Sequence, residues 1–129
     1  MTRNKILIVD DDAELCSELS EILGDSGYTV DTASDGVQGK KMLEADVYNL
    51  VILDLKLPRM NGFEVLKSIR QTDTSGTQVI VISGRPSNTA LLEETSDYNQ
   101  GKILQLADCV LSKPVAPDFL LQKIKKLVG

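Results

Sequence analysis

Chemistry-bearing side chains follow directly after four short apolar runs in this chain. Lys5 to Val9 leads into Asp10, Asp11 and Asp12, Leu50 to Leu53 into Asp54, Gln78 to Ile82 into Ser83, and Asp108 to Leu111 into Ser112 and Lys113. Continuous apolar runs of this length, rich in branched side chains, suit strands buried on both faces. In open parallel sheets ligands bind outside the carboxyl ends of the strands, which is where these residues fall. Taken singly, Asp54 would start a turn, Ser83 would cap a neighbouring group and Lys113 would sit on the surface. Their joint arrival at strand ends favours a site.

In the strand order 2-1-3-4-5 the first and third strands are neighbours, so Asp10, Asp11 and Asp54 converge at the point where the order reverses. Carboxylates this close repel one another unless a cation lies between them. The chain has no His, and Cys16 and Cys109 lie far apart inside apolar patterns, where they read as small buried hydrophobes. Any metal is therefore held by oxygen, and an all-oxygen site that can also take a phosphate selects Mg2+ over zinc. Ser83 and Lys113 can donate hydrogen bonds to an anion, Lys113 with a full positive charge. Asp54, between the two halves, can attack a phosphorus atom in line, since carboxylates are known to form aspartyl-phosphates.

The elements that must position these residues alternate. After the first strand, Leu15, Cys16, Leu19, Ile22 and Leu23 recur at helical spacing with Glu14, Ser17, Glu18 and Glu21 turned away, and Gly24 to Gly27 is expected to break that helix. Tyr28 to Ala33 reads as a second strand. Ser34-Asp35-Gly36 starts a helix over Val37 to Ala45, weakened by Gly39. Leu55 to Asn61 is a loop, and Phe63, Val65, Leu66 and Ile69 mark a third helix through about Arg70. Between Ser87 and Leu106 the pattern is less regular and gives one helix and a short second one. Pro117 and Asp118 open a last helix with Phe119, Leu120, Leu121, Ile124, Leu127 and Val128 as its apolar stripe. Five strands alternating with helices predict an α/β fold, a doubly wound five-stranded parallel sheet of flavodoxin-like order 2-1-3-4-5 with helices on both faces.

Composition narrows the function. A chain of 129 residues matches one domain, with 42% hydrophobic and 26% charged residues in the globular range. Its apolar runs are too short to span a bilayer, and Met1 to Lys5 has no signal-peptide character, so the expected location is the cytoplasm, without membrane contact. A net charge of −5 opposes direct nucleic-acid binding. The Lys123, Lys125 and Lys126 cluster reads as a solvated helix face that complements the helix dipole. No glycine-rich phosphate loop of either nucleotide-binding type follows the first strand.

The segments ILIVDDD at 6–12, VILDLKLPRMNG at 51–62, VISG at 81–84 and LSKP at 111–114 together resemble a response-regulator receiver domain of two-component signalling, over essentially the whole chain. The resemblance implies one receiver domain over 1–129. Asp54 would accept a phosphoryl group from a partner sensor histidine kinase or histidine phosphotransfer protein. Asp11 would ligate Mg2+ directly, Asp10 would help through the metal's shell, and Lys56 would add its backbone carbonyl. Ser83 would follow the phosphoryl group and Lys113, before a cis Pro114, would hold one of its oxygens. Asp12 is left for helix capping. The domain would catalyse only its own phosphorylation and dephosphorylation and would not be an enzyme in the ordinary sense. It would switch the family's 4-5-5 face (fourth helix, fifth strand, fifth helix) toward an output domain, a downstream protein or a second copy in a phosphorylation-dependent homodimer.

The chain departs from the family pattern at three places. Val110 stands three residues before Lys113, where the family usually has an aromatic or His, and Val115 stands where Phe is common. The stretch from Ser83 to Lys113 is longer than usual by about two helical turns, an extended segment at about 84–108. These departures motivate an alternative, a phosphorylation-independent pseudo-receiver acting as a protein-interaction module. A haloacid-dehalogenase-type phosphatase would need a second Asp two residues after Asp54, and Lys56 is there.

Overall fold

The computed structural model describes residues 4–55, 62–72, 76–83, 106–113 and 115–128. The elements in order are β1 (Lys5–Val9), α1 (Ala13–Asp25), β2 (Thr29–Ala33), α2 (Gly36–Ala45), β3 (Leu50–Asp54), α3 (Gly62–Thr72), β4 (Gln78–Ser83), β5 (Cys109–Ser112) and α4 (Pro117–Val128). The strands form one five-stranded sheet in the order β2-β1-β3-β4-β5, every pair parallel. This is the expected order. The helices and extended segment expected between Ser83 and Asp108 lie outside the described residues, apart from the last residues before β5.

The apolar runs are continuous because each central strand is covered on both faces. Ile6, Ile8, Leu50, Ile52, Ile80 and Ile82 point to one side, where they pack with Cys16, Leu19 and Leu23 of α1 and Leu120 and Ile124 of α4. Leu7, Val9, Val51, Leu53, Val79 and Val81 point to the other, against Phe63, Leu66 and Ile69 of α3. Bulky Ile side chains dominate the α1/α4 face and slimmer Val side chains are common on the α2/α3 face. Burial of a full aliphatic side chain stabilises by about 1.5–3 kcal/mol, so these layers are the main term holding the sheet.

The starts of α1 and α2 are fixed by aspartates. The Asp12 carboxylate accepts from Leu15 N–H at 3.1 Å and Asp35 from Gln38 N–H at 2.7 Å, satisfying N–H groups that the first turn leaves without partners. Gln38 reaches back to accept from Ser34 N–H at 2.9 Å, a reciprocal cap. α1 ends at Asp25, within the Gly24 to Gly27 break expected from the sequence. The stop is Gly27, whose φ of 98° places it in the left-handed region that ends helices. Gly39 marks close packing rather than weakness alone: a Cβ there would lie 3.0 Å from both Val9 methyls.

Two apolar expectations need correcting. Phe119 is 47% exposed, because it lies outside the arc of α4 that carries Leu120 and Ile124 to the sheet, and the Lys123 ammonium stands 5.3 Å from its ring centroid. Cys109 is only half-buried, since it lies on the edge strand β5, whereas Cys16 is buried.

At the amino end of the sheet, Tyr48 is buried with its hydroxyl donating to Asp31 at 2.8 Å, and Lys5 pairs with Asp46 and Asp31 beside the same ring. Burial, then the hydrogen bond to Asp31 and its charge, push the Tyr48 hydroxyl above the ordinary tyrosine value. A group whose folded pKa is raised contributes stability that is complete below its unfolded pKa, about 10 for tyrosine, and lost as pH rises toward the folded value. Chemical denaturation from pH 8 to 11 is expected to show stability falling more steeply above about pH 10 in the wild type than in Tyr48→Phe. Equal slopes would contradict this account.

Candidate functional site

The strand ends bring the acids together. Asp10 extends the β1 ladder by donating its N–H to Ala33 O at 3.0 Å, and only 2% of it is exposed. Asp54 is the last residue of β3, in register with Ile82 of β4, and 4% exposed. Asp11 is exposed at the rim. One carboxylate oxygen from each of Asp10, Asp11 and Asp54 lies within 4.8 Å of the other two.

Two features hold this crowding. Asp10 Oδ1 accepts from Asp12 N–H at 2.9 Å, which fixes its rotamer, while Lys113, directly after β5, reaches back across the sheet. Its ammonium lies 2.9 Å from Asp10 Oδ2 and 3.2 Å from Asp54 Oδ2. Burial alone would lower the Lys113 pKa, but hydrogen bonds and charge from Asp10 and Asp54 outweigh it and hold the pKa above the ordinary lysine value. Lys113 is therefore a fixed cation. Three carboxylates against one ammonium leave two negative charges, the amount one divalent cation neutralises. The cluster offers only carboxylate oxygens, and that donor chemistry fits Mg2+.

Of the residues singled out from the sequence, Asp10, Asp11, Asp54 and Lys113 are thus brought together. Ser83 ends β4 beside Ser112, so its backbone is at the same edge of the sheet. Its side chain, Lys56 and Pro114 lie outside the described residues. Val110 is 46% exposed on β5.

Several residues at or around the site were not anticipated. Gly62 opens α3 against the back of Asp54: it donates its N–H to Leu55 O at 2.9 Å, and a Cβ there would collide with the Asp54 carbonyl oxygen and come within 2.6 Å of Leu55 Cα. Its place at the end of the loop after Asp54 was the available signal. Cys16 lies beneath the acids with its thiol 3.4 Å from Asp10 O. Between α1 and the end of β2 is a cleft of about 270 Å3 with Asp10 and Asp11 in its wall. Ala13, Ser17 and Ser20 line it, at a spacing of three to four residues that leaves one flank of α1 low. At the opposite end of the sheet, Arg70 and Asp108 pair at 2.7 Å, a contact between residues 38 positions apart that no sequence pattern announces.

This fold and this acid cluster define a class, and the comparisons with known proteins agree with it. The family model for the response regulator receiver domain matches residues 6–125, and the chain belongs to that family. It is 38% identical over 125 residues to the transcriptional regulatory protein CpxR of Escherichia coli K12, covering 97% of this chain and 49% of CpxR. It is 33% identical over 124 residues to the response regulator MprA of Mycobacterium ulcerans, covering 96% of this chain and 50% of MprA. The chain thus spans about half the length of the curated relatives it matches. Among solved structures, it resembles a CheY-like receiver domain protein of Methanospirillum hungatei with a TM-score of 0.78 and 35% identity, covering 97% of this chain and 93% of that one. It also resembles the response regulator TrrA of Thermotoga maritima, solved in complex with Mg(2+)-BeF, with a TM-score of 0.77 and 31% identity over 96% of this chain and 98% of that one. Among the described residues no helix is long and apolar enough to cross a membrane.

Two outcomes follow from the site's packing. Gly62→Ala is expected to destabilise the domain by about 1–3 kcal/mol, because the added methyl meets backbone that cannot rotate away; an unchanged midpoint in chemical denaturation would contradict the close approach. Burial, with the Asp10 charge adding to it, pushes the Cys16 thiol up to about 11. At pH 8 a maleimide is therefore expected to label half-buried Cys109 well before Cys16, read by peptide mass mapping of the folded protein.

Proposed function

We propose that this chain is an active phosphoacceptor receiver in which Asp54 takes a phosphoryl group from a histidine of a sensor kinase or phosphotransfer protein. One Asp54 carboxylate oxygen bonds to phosphorus as the bond from phosphorus to the donor's imidazole nitrogen breaks, and that electron pair leaves with the imidazole. The observation that carries this reading is Asp54 itself: buried at a strand end, within reach of two further carboxylates and 3.2 Å from a lysine ammonium.

Asp10, Asp11 and Asp54, with the backbone carbonyl of Lys56, would hold Mg2+, and Asp10 would act through the metal's water shell. When bound, the cation neutralises charge on the cluster and on the transferring oxygens. Lys113 stays charged across the physiological range and would move from the acids to a phosphoryl oxygen as that group forms. Ser83 would donate to another and couple the site to the 4-5-5 face. The Asp12 N–H keeps Asp10 oriented through the exchange. The chain would catalyse only the gain and loss of its own phosphoryl group and act in the cytoplasm. Its negative net charge supports protein partners rather than nucleic acid for this segment, with an output domain, a downstream protein or a second copy as the recipient of the switch. That CpxR is named a transcriptional regulatory protein and is about twice as long supports a transcriptional output in the whole protein.

A second reading has one observation in its favour. Val110, exposed on β5, has no ring with which to report the state of Ser83, as a phosphorylation-independent interaction module would allow. Incubation with Mg2+ and a small acyl phosphate separates the two: intact mass is expected to show one added phosphate in the wild type and none in Asp54→Asn. A wild type that binds Mg2+ yet gains no phosphate would favour the second reading.

A further inference from the structure

β5 is short and lies at the edge of the sheet, yet it must deliver Lys113 to two carboxylates on two other strands. It has four residues, pairs with β4 from Ile80↔Cys109 to Ser83↔Ser112, and is followed at once by Lys113. Few ladder bonds hold such a strand in register. A slip of one residue would move it by about 3.3 Å and turn its side chains to the other face. Contacts of 2.9 and 3.2 Å from the Lys113 ammonium would not survive that.

The register is pinned from the opposite end. Asp108, immediately before β5, donates its N–H to Val79 O at 2.9 Å and accepts Val79 N–H on Oδ2 at 2.8 Å, gripping one residue of β4 twice. The same Oδ2 accepts from one terminal nitrogen of Arg70 at 2.7 Å. Arg70 also donates through Nε to Leu106 O at 2.9 Å and through its other terminal nitrogen to Thr77 O at 2.6 Å. One planar guanidinium at the end of α3 thus ties together the residue before β4 and the two sides of the turn into β5. A lysine ammonium, a point charge on a flexible stem, cannot reproduce that fork.

We propose that Arg70 is a positioning residue for Lys113, acting through Asp108 and the register of β5 and never touching the reacting atoms. Asp108 and Lys113 lie five residue steps apart, with the four residues of β5 between them, about 17 Å of extended chain, so no direct contact is available. The consequence for phosphoryl transfer rests on Asp54 being the phosphoacceptor; the consequence for the placement of Lys113 does not. Small misplacements matter at such a distance, since an error of about 1 Å in a reacting group can cost roughly a hundredfold in rate.

The test uses the whole chain at a temperature well below each variant's unfolding midpoint. The side-chain NMR resonances of Lys113 are recorded without Mg2+, and the rate of Asp54 phosphorylation by a small acyl phosphate is measured at saturating Mg2+. Arg70→Met is expected to shift the Lys113 resonances and slow phosphorylation at least about tenfold, with Arg70→Lys restoring neither. In a Lys113→Ala background, Arg70→Met is expected to slow the reaction no further, because the residue it positions is gone. Asp108→Asn keeps an acceptor for Val79 N–H but loses the charge facing Arg70, and carries the same test should Arg70→Met fail to fold. Unshifted Lys113 resonances in a folded variant, or rate effects that multiply in the double variant, would overturn the proposal. A wild type that takes up no phosphate would instead remove the phosphoacceptor reading, and the resonances would still decide the role of Arg70.

Discussion

Burying two carboxylates side by side is the constraint on which the rest of this structure depends. Asp10 and Asp54 are almost wholly withdrawn from water, and taking each ion out of solvent costs several kcal/mol unless partners replace the lost hydration. The fold supplies those partners from near and far: the Asp12 N–H, two residues on in the turn into α1, and the Lys113 ammonium from beyond β5. The two carboxylates meet only because β1 and β3 are neighbours, and that adjacency follows from the crossing order of the sheet. A residual double negative charge remains at the rim, open to solvent through Asp11. The site is a charge imbalance held in place by packing.

That packing explains how rigid the frame around the imbalance is. The strands that end in acids are, with β4, the most deeply buried of the described residues, Ile6 to Val9 and Leu50 to Leu53 being essentially inaccessible. Large side chains on the α1/α4 face and smaller ones on the α2/α3 face make the two sides of the sheet unequal. A register shift in a central strand would exchange the side chains of its two faces at once, disturbing the fit on both. The lateral positions of Asp10 and Asp54 are therefore set by hydrophobic shape, and their electrostatic conflict cannot relax by sliding.

Much of this was legible in the sequence, for a physical reason. Double burial writes itself as unbroken branched apolar runs, so the central strands, their parallel order and the acids at their ends could be read from β1, β3 and β4. Edges were harder. Phe119 looked like core, because periodicity locates a stripe only to within a residue or so, and the arc of α4 facing the sheet is not encoded by hydrophobicity. Gly39 makes room for the Val9 side chain and Gly62 for the Asp54 and Leu55 backbone, and a glycine's spelling does not say what it touches. Arg70 and Asp108 were invisible because a pair 38 residues apart carries no local pattern. The acids and the lysine of the cluster were recognisable from their place on strands, whereas the groups that keep those strands aligned were not.

The hydrogen bond from the Asn4 side-chain amide to Val128 O, 2.8 Å long, closes the described chain on itself beside the start of β1. Both ends therefore lie at the amino edge of the sheet, and Asp54 lies at the other, about 17 Å away along a five-residue strand. A fluorophore, a surface tether or a fused protein joined at either end would hang below the sheet and leave the acid cluster open to a docking partner. A rigid attachment at either described end is therefore about the length of a strand away from Asp54.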